Sequence, residues 1–156
     1  MNKRIPSVVA AVVAAATSLV PAATATAAPK PSANILGTVV MAPGGESATV
    51  TARYTCVEET HLWVSAKQMD DGRRDPALLE EGSSAYADNW LQQHPQTLIC
   101  DGRNHVQSFT IDKTEVTPWS PDPIGKGSLR KGQAYVQFCM ISENGMVYPT
   151  RWVTVR

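Results

Sequence analysis

Three histidines, two adjacent glutamate pairs and three cysteines are the side chains of this sequence that could do acid-base, metal or thiol chemistry. His61, His94 and His105 stand far apart, and none belongs to an H-E-x-x-H, C-x-x-C or G-x-S-x-G arrangement that would seat a metal or activate a serine. Asp70-Asp71-Gly72 lacks the alternating oxygen ligands of an EF-hand loop. Glu58-Glu59 and Glu80-Glu81 are neighbours in sequence, whereas glycoside hydrolysis needs two carboxylates facing each other across roughly 5 to 9.5 Å. The histidines therefore read as surface and turn residues and the glutamates as solvated loop charge. No catalytic residue, metal site or cofactor is expected.

Binding chemistry is better represented. Trp119 sits in Thr117-Pro118-Trp119-Ser120-Pro121-Asp122-Pro123, a proline-dense loop that cannot make regular sheet hydrogen bonds. A tryptophan on so stiff a loop either offers a stacking face to a sugar ring or peptide, or folds back to cover one end of the domain. Trp90 and Tyr86 carry the same two readings. Trp63 and Trp152 lie within strand-like segments and read as packing residues.

The chain opens with Lys3 and Arg4, then runs without charge from Ile5 to about Ala23 and ends in Ala25-Thr26-Ala27. This is the pattern of a secretory signal, expected to be cut between Ala27 and Ala28, with a cut after Ala25 nearly as good. A membrane anchor is the alternative, since the run approaches the roughly 20 apolar residues that span a bilayer, but Pro21 and the Ala/Thr tail weaken it as a membrane helix. Residues 28–33, APKPSA, read as a flexible leader, and 34–156 as one domain with one core. Removing the signal takes two of the 14 basic residues and none of the 14 acidic ones, leaving a formal charge of −2. That balance argues against a nucleic-acid or anionic-membrane partner, which calls for a clustered basic surface.

From Asn34 onward the apolar residues alternate with period two, which predicts strands. Ser47 to Cys56 is the clearest, with Ala48, Val50, Ala52, Tyr54 and Cys56 on one face. Further strands are predicted over 35–41, 61–69, 97–100, 105–111, 133–142 and 146–155, with Leu62, Val64 and Ala66 inward in the third. Asp101 to Asn104 reads as a hairpin turn, and Asn144-Gly145 as the central pair of another, both residues at φ > 0. Seven such strands predict an antiparallel β-sandwich, with a closed barrel as the runner-up. Between Arg73 and Pro95 the rhythm breaks. Asp75-Pro76 followed by Ala77-Leu78-Leu79 predicts a short helical turn, and 84–93, with Tyr86 and Trp90 four apart, either a second one or an irregular excursion.

Three cysteines in an exported chain allow one bridge and one leftover thiol. Cys56 with Cys139 would require both to point into the core. In the strand 133–142, however, Ala134, Val136, Phe138 and Met140 make a better core face than Tyr135, Gln137, Cys139 and Ile141. The alternation thus favours Cys56 with Cys100, leaving Cys139 as a buried, inert free thiol.

Tyr54-Thr55-Cys56, Cys100-Asp101-Gly102 with His105, and Leu129-Arg130-Lys131-Gly132-Gln133-Ala134 opening a strand resemble small secreted Ig-like or fibronectin-III-like domains of high-GC Gram-positive bacteria. The resemblance covers most of the chain after the signal and implies an Ig-like fold with the first two cysteines bridged. Leu129 to Tyr135 also resembles the fibronectin-III tyrosine corner, with Lys131 where proline is usual, which implies a loop brace and no chemistry. The longer 77–93 segment and the third cysteine depart from the family pattern. The expected function is a secreted, non-enzymatic module that binds an extracellular protein, glycan or small molecule. An inhibitor of a secreted hydrolase or protease is the alternative, and a secreted enzyme the last.

Overall fold

The computed structural model describes residues 29–58, 60–80, 82–95, 97–117 and 122–156. The expected signal at 1–27, its cleavage point at Ala27 and Ala28, and Trp119 lie outside them. Eight strands follow in order: β1 (Ser32–Met41), β2 (Ser47–Val57), β3 (Thr60–Gln68), β4 (Asn89–Gln93), β5 (Asp101–Asp112), β6 (Gly132–Ser142), β7 (Gly145–Val147) and β8 (Thr150–Val155). β1 starts two residues inside the stretch read as leader. The described residues contain no α-helix, and no helix among them is long and apolar enough to cross a membrane.

The strands hydrogen-bond in the order β3-β4-β5-β2-β1-β8-β6, and β6 pairs again with β3, so seven of them close into a ring; β7 extends one edge of β6. The runner-up architecture, a barrel, is therefore the one observed, in place of an open sandwich. Closure depends on two strands that change partners. β1 kinks at Gly37, whose φ of +61 suits glycine, and then reaches across to β8, with Arg156 N–H donating to Val39 O and Met41 N–H to Arg156 O. β6 is long enough to pair with β3 along one edge and with β8 and then β7 along the other. Two seams stay thin, for β1–β8 and β4–β5 are each registered through a single residue pair. The ring thus consists of a three-strand half, β1-β2-β5, and a four-strand half, β4-β3-β6-β8.

Alternation holds where it was read. Ala48, Val50, Ala52, Tyr54 and Cys56 face Leu62, Val64, Ala66, Ala134, Val136, Phe138 and Met140 in one buried core. Tyr54 is fully buried among Phe109, Phe138 and His105, with ring centroids 6.1, 6.4 and 5.9 Å away. Its hydroxyl donates to Gln107 Oε1 at 2.7 Å and accepts from Ile99 N–H at 3.2 Å, which meets the need of a buried phenol for partners. Cys56 and Cys100 are bridged, and Cys139 is a free, buried thiol.

Four local expectations are corrected. Asp101 to Asn104 makes no turn: it runs inside β5, where the register steps from Thr55↔Asn104 to Val57↔Asp101 and places an extra residue on β5. Gly102, at φ +79, takes the bulge that glycine permits. Residues 97–100 are correspondingly no strand but a strap leading into the disulfide. The Asn144-Gly145 hairpin exists, yet its two-residue loop is Glu143-Asn144, with Gly145 already paired to Ser142, one position earlier than expected, and Asn144 does not take the positive φ expected of it. The long final strand splits into β7 and β8 at Tyr148-Pro149, since proline has no N–H for the ladder.

The excursion between β3 and β4 holds two short 3-10 turns, Pro76–Leu79 and Ser83–Ala85. The first is the predicted helical turn: Asp75 caps it by accepting from Ala77 N–H at 2.9 Å, with Pro76 at its first position. The second predicted helical turn gives way to strand β4. Pairing with β3 from Gln93↔Val64 to Asn89↔Gln68 overrides the local spacing of Tyr86 and Trp90.

Candidate functional site

The inward residues of the four-strand half belong to the core, so its outward residues form rows fixed by register. One row crosses β4, β3, β6 and β8 as Trp90, Lys67, Tyr135 and Trp152. The next is Gln92, Ser65, Gln137 and Thr150, followed by Trp63 beside Cys139, and then His61, Ile141 and Met146. Three of the four tryptophans of the chain lie on this one face, all half-buried. Ile141, Met146 and Tyr148 are exposed next to them.

The middle of the face is unusual for the outside of a sheet, because Ser65, Lys67, Gln92 and Gln137 are all buried there. Two amide chains satisfy most of them, as buried polar groups require. Trp63 Nε1 donates to Gln92 Oε1 at 3.0 Å, and Gln92 Nε2 donates to Glu115 Oε2 at 2.9 Å. Glu115 in turn accepts from His94 N–H at 2.6 Å and lies 3.0 Å from His94 Nδ1. On the other side Ser65 Oγ donates to Gln137 Oε1 at 3.4 Å, and Gln137 Nε2 donates to the Tyr148 hydroxyl. Trp63 and Tyr148 are thereby held in fixed orientations by buried amides. Such pre-set aromatic side chains lose little freedom when they stack on a partner.

The excursion packs over the first row. Leu78 and Ala87 bury themselves against Tyr135, with Met69 and Trp152 alongside, forming a second and smaller core outside the ring. Lys67 points into this layer with only 3% of its surface exposed. Its Nζ donates to Ser83 Oγ at 2.8 Å, and Ser83 Oγ donates to Leu78 O at 2.9 Å. Burial lowers the Lys67 pKa from the ordinary lysine value and raises that of the Cys139 thiol, which makes Cys139 a poor nucleophile.

A second feature lies at the end of the ring near the disulfide. The strap 97–99 is tied to β5 by Gln107 Nε2, which donates to Thr97 O at 3.1 Å. Thr97, Leu98, Ile99, His105, Val106 and Gln107 line a cavity of about 260 Å3 there. His105 Nε2 sits 2.7 Å from Asp101 Oδ1. The hydrogen bond from His105 and then that from Arg103 N–H hold the Asp101 carboxyl below its ordinary value. Both His94 and His105 are thus paired with carboxylates, where the spacing alone read them as surface and turn residues. Among the described residues no group of three or more His, Cys, Asp or Glu side chains is placed to hold a metal ion.

Of the aromatic residues singled out from sequence, Trp90 lies on the outer face at its β4 edge, with its indole Nε1 buried and, among the described residues, without a hydrogen-bond partner. Tyr86 is 63% exposed at the end of the second 3-10 turn. Trp63 and Trp152, read as packing residues, turn out to share the face with Trp90. Period two does place 63, 65 and 67 opposite the inward 62, 64 and 66, but which strands lie alongside is not written in any one segment. Compared with protein-family models, curated proteins and solved structures, the chain matches none of them.

Proposed function

We propose that the protein is an exported, non-enzymatic binding module of the Ig-like or fibronectin-III-like class, with the outer face of β4-β3-β6-β8 as its ligand surface. The observation that carries this reading is the convergence of Trp63, Trp90 and Trp152 on one face, with Trp63 and the neighbouring Tyr148 oriented by buried amides. Half-buried tryptophans offer an apolar ring face to a partner, and Trp63, whose N–H is already taken by Gln92, holds that face in a set orientation, which suits it to an interface. The Ig-like reading is supported by the three-strand and four-strand halves, which meet only at thin seams and resemble two layers pressed together. Export is supported by the Cys56–Cys100 disulfide, a bond that persists in oxidising compartments, and by the signal pattern of the first 27 residues.

Titration with glycans, extracellular peptides and small aromatic compounds, followed by tryptophan fluorescence, tests the proposal. A saturable change is expected with one class, lost in Trp63→Ala or Trp152→Ala while the far-ultraviolet circular dichroism stays the same. Silence across all three classes, or a response that survives both substitutions, overturns the assignment of this face.

A further inference from the structure

Ring closure of an asparagine onto the next backbone nitrogen needs a following residue without a Cβ to crowd that nitrogen, a side-chain amide that no partner holds, and a backbone free to bend. Four asparagines lie among the described residues. Asn34, Asn89 and Asn104 precede Ile35, Trp90 and His105, and all three sit in paired strands, opposite Arg53, Gln68 and Thr55. Asn89 is also buried, its Nδ2 donating to Asp70 Oδ1 at 3.1 Å and its Oδ1 accepting from Ser128 N–H at 2.7 Å.

Asn144 differs on every count. It is exposed in the two-residue loop between β6 and β7, and among the described residues nothing holds its amide. Gly145 follows it at φ +128, where a Cβ would meet nothing within 4 Å, so the surroundings of its nitrogen are open. The one restraint is the Ser142↔Gly145 pair, the last rung of a three-residue strand whose other edge, among the described residues, pairs with no strand. Terminal rungs of so short an edge strand open readily within a folded protein.

Two further pairs are prone to the same ring closure, Asp71-Gly72 and Asp101-Gly102, and both are locked. Asp71 Oδ1 accepts from Arg73 N–H at 2.8 Å, while Gly72 N–H donates to Met69 O at 2.9 Å. Asp101 Oδ1 lies 2.7 Å from His105 Nε2 and accepts from Arg103 N–H at 2.9 Å, contacts that lower the Asp101 pKa and keep the carboxyl in the ionised form, which resists a nucleophile.

We propose that Asn144 is a site of spontaneous deamidation on the folded protein, converting to aspartate and isoaspartate and thereby loosening β7 at the rim of the outer face. The Gly145 nitrogen, losing its proton to hydroxide, bonds to Asn144 Cγ; the Cγ–Nδ2 bond breaks, and Nδ2 leaves as ammonia with a proton taken from water, which restores the hydroxide. Water then opens the five-membered ring. Breaking the new bond between Gly145 N and Cγ gives aspartate, with the chain as before; breaking the bond between Gly145 N and the backbone carbonyl carbon of residue 144 gives isoaspartate, with the chain rerouted through Cγ. Nothing is oxidised or reduced, and the net change is one water taken up for one ammonia released. Either product adds a negative charge beside Glu143, close to the exposed Ile141 and Met146. Isoaspartate also adds a carbon to the main chain of a loop only two residues long, which the Ser142↔Gly145 rung cannot span unchanged. Any effect on ligand rests on the binding reading given above; the conversion itself stands apart from it.

The intact folded protein is held at physiological temperature from pH 7 to 9, then digested and mapped by mass spectrometry, with isoaspartate scored by enzymatic methylation. Asn144 is expected to be lost at a rate that rises with hydroxide concentration, while Asn34, Asn89, Asn104, Asp71 and Asp101 stay intact. Asn144→Gln, whose longer side chain would have to close a six-membered ring, is expected to keep its amide over the same period. In the isoaspartate form the amide resonances of Gly145, Met146 and Val147 are expected to shift and those of β2 to stay. Persistence of Asn144 in the folded chain, equal loss at the other sites, conversion of Asn144→Gln at the wild-type rate, or a β7 left unmoved by isoaspartate overturns the proposal. Conversion of Asn144 in a protein that binds none of the ligand classes keeps this inference and removes the binding reading, whereas a ligand bound by a protein whose Asn144 persists does the reverse.

Discussion

Replacing both bridged cysteines, Cys56→Ala with Cys100→Ala, tests how much of the stability rests on one covalent bond. The bridge joins residues separated by 44 positions, a closed loop that holds β3, the excursion and β4. In the chain-entropy account, a loop of that length restrains the unfolded chain by about 13 cal/mol/K, or about 4 kcal/mol at 25 °C. Against a total of about 5–15 kcal/mol for an ordinary domain, this is a large share. Alanine removes only small sulfur atoms from a site that the Tyr54, Gln107 and Thr97 hydrogen bonds continue to hold, so the folded state changes little. The assay is urea unfolding followed by circular dichroism. With a slope of about 2 kcal/mol/M, the midpoint should fall by about 2 M. A loss under about 1 kcal/mol at unchanged slope would refute the reasoning, because the unfolded chain would then already keep the two ends of the loop together without the bond. A rise in the slope is the expected companion, as the freed chain exposes more surface on unfolding.

Two further outcomes follow from individual positions. Gly45 sits at φ +71, and a Cβ there would lie 2.0 Å from Leu129 O, whose N–H already donates to Gly45 O at 2.8 Å; Gly45→Ala is expected to cost roughly 3 kcal/mol or to prevent folding, as read by thermal unfolding, and a loss under about 1 kcal/mol would refute the clash. His105→Ala removes the main hydrogen bond that lowers the Asp101 pKa, so NMR titration of the Asp101 carboxyl should show it move up toward its ordinary value. The stability contributed by this pair is complete above the unfolded carboxyl value of 3.8 and is lost as pH falls through the lower folded value, so wild type and variant should converge in strong acid; an Asp101 that titrates identically in both would contradict the assignment.

Local periodicity and turn chemistry carried much of the fold into the sequence. Inward positions of β2, β3 and β6 follow from alternation, because the two faces of a strand are set residue by residue. The capped turn at Asp75-Pro76 follows from a side chain and a ring that act within three residues. The choice of Cys100 over Cys139 as partner of Cys56 follows from which face of β6 is apolar. What tertiary structure alone decided concerns partners distant in the chain. Closure of the ring depends on β6 returning to β3 and on β1 crossing to β8, and neither contact leaves a mark within one segment. Strand β4 forms because β3 offers it a ladder, and Asp101-Gly102 becomes a bulge because β2 runs past it. The same holds for the face itself: Trp63, Trp90 and Trp152 share it, and Lys67 is sealed beneath Ser83, only through cross-strand register and the packing of the excursion between β3 and β4. A side chain's direction is a local property, whereas its neighbours are the outcome of long-range pairing, which only the folded chain resolves.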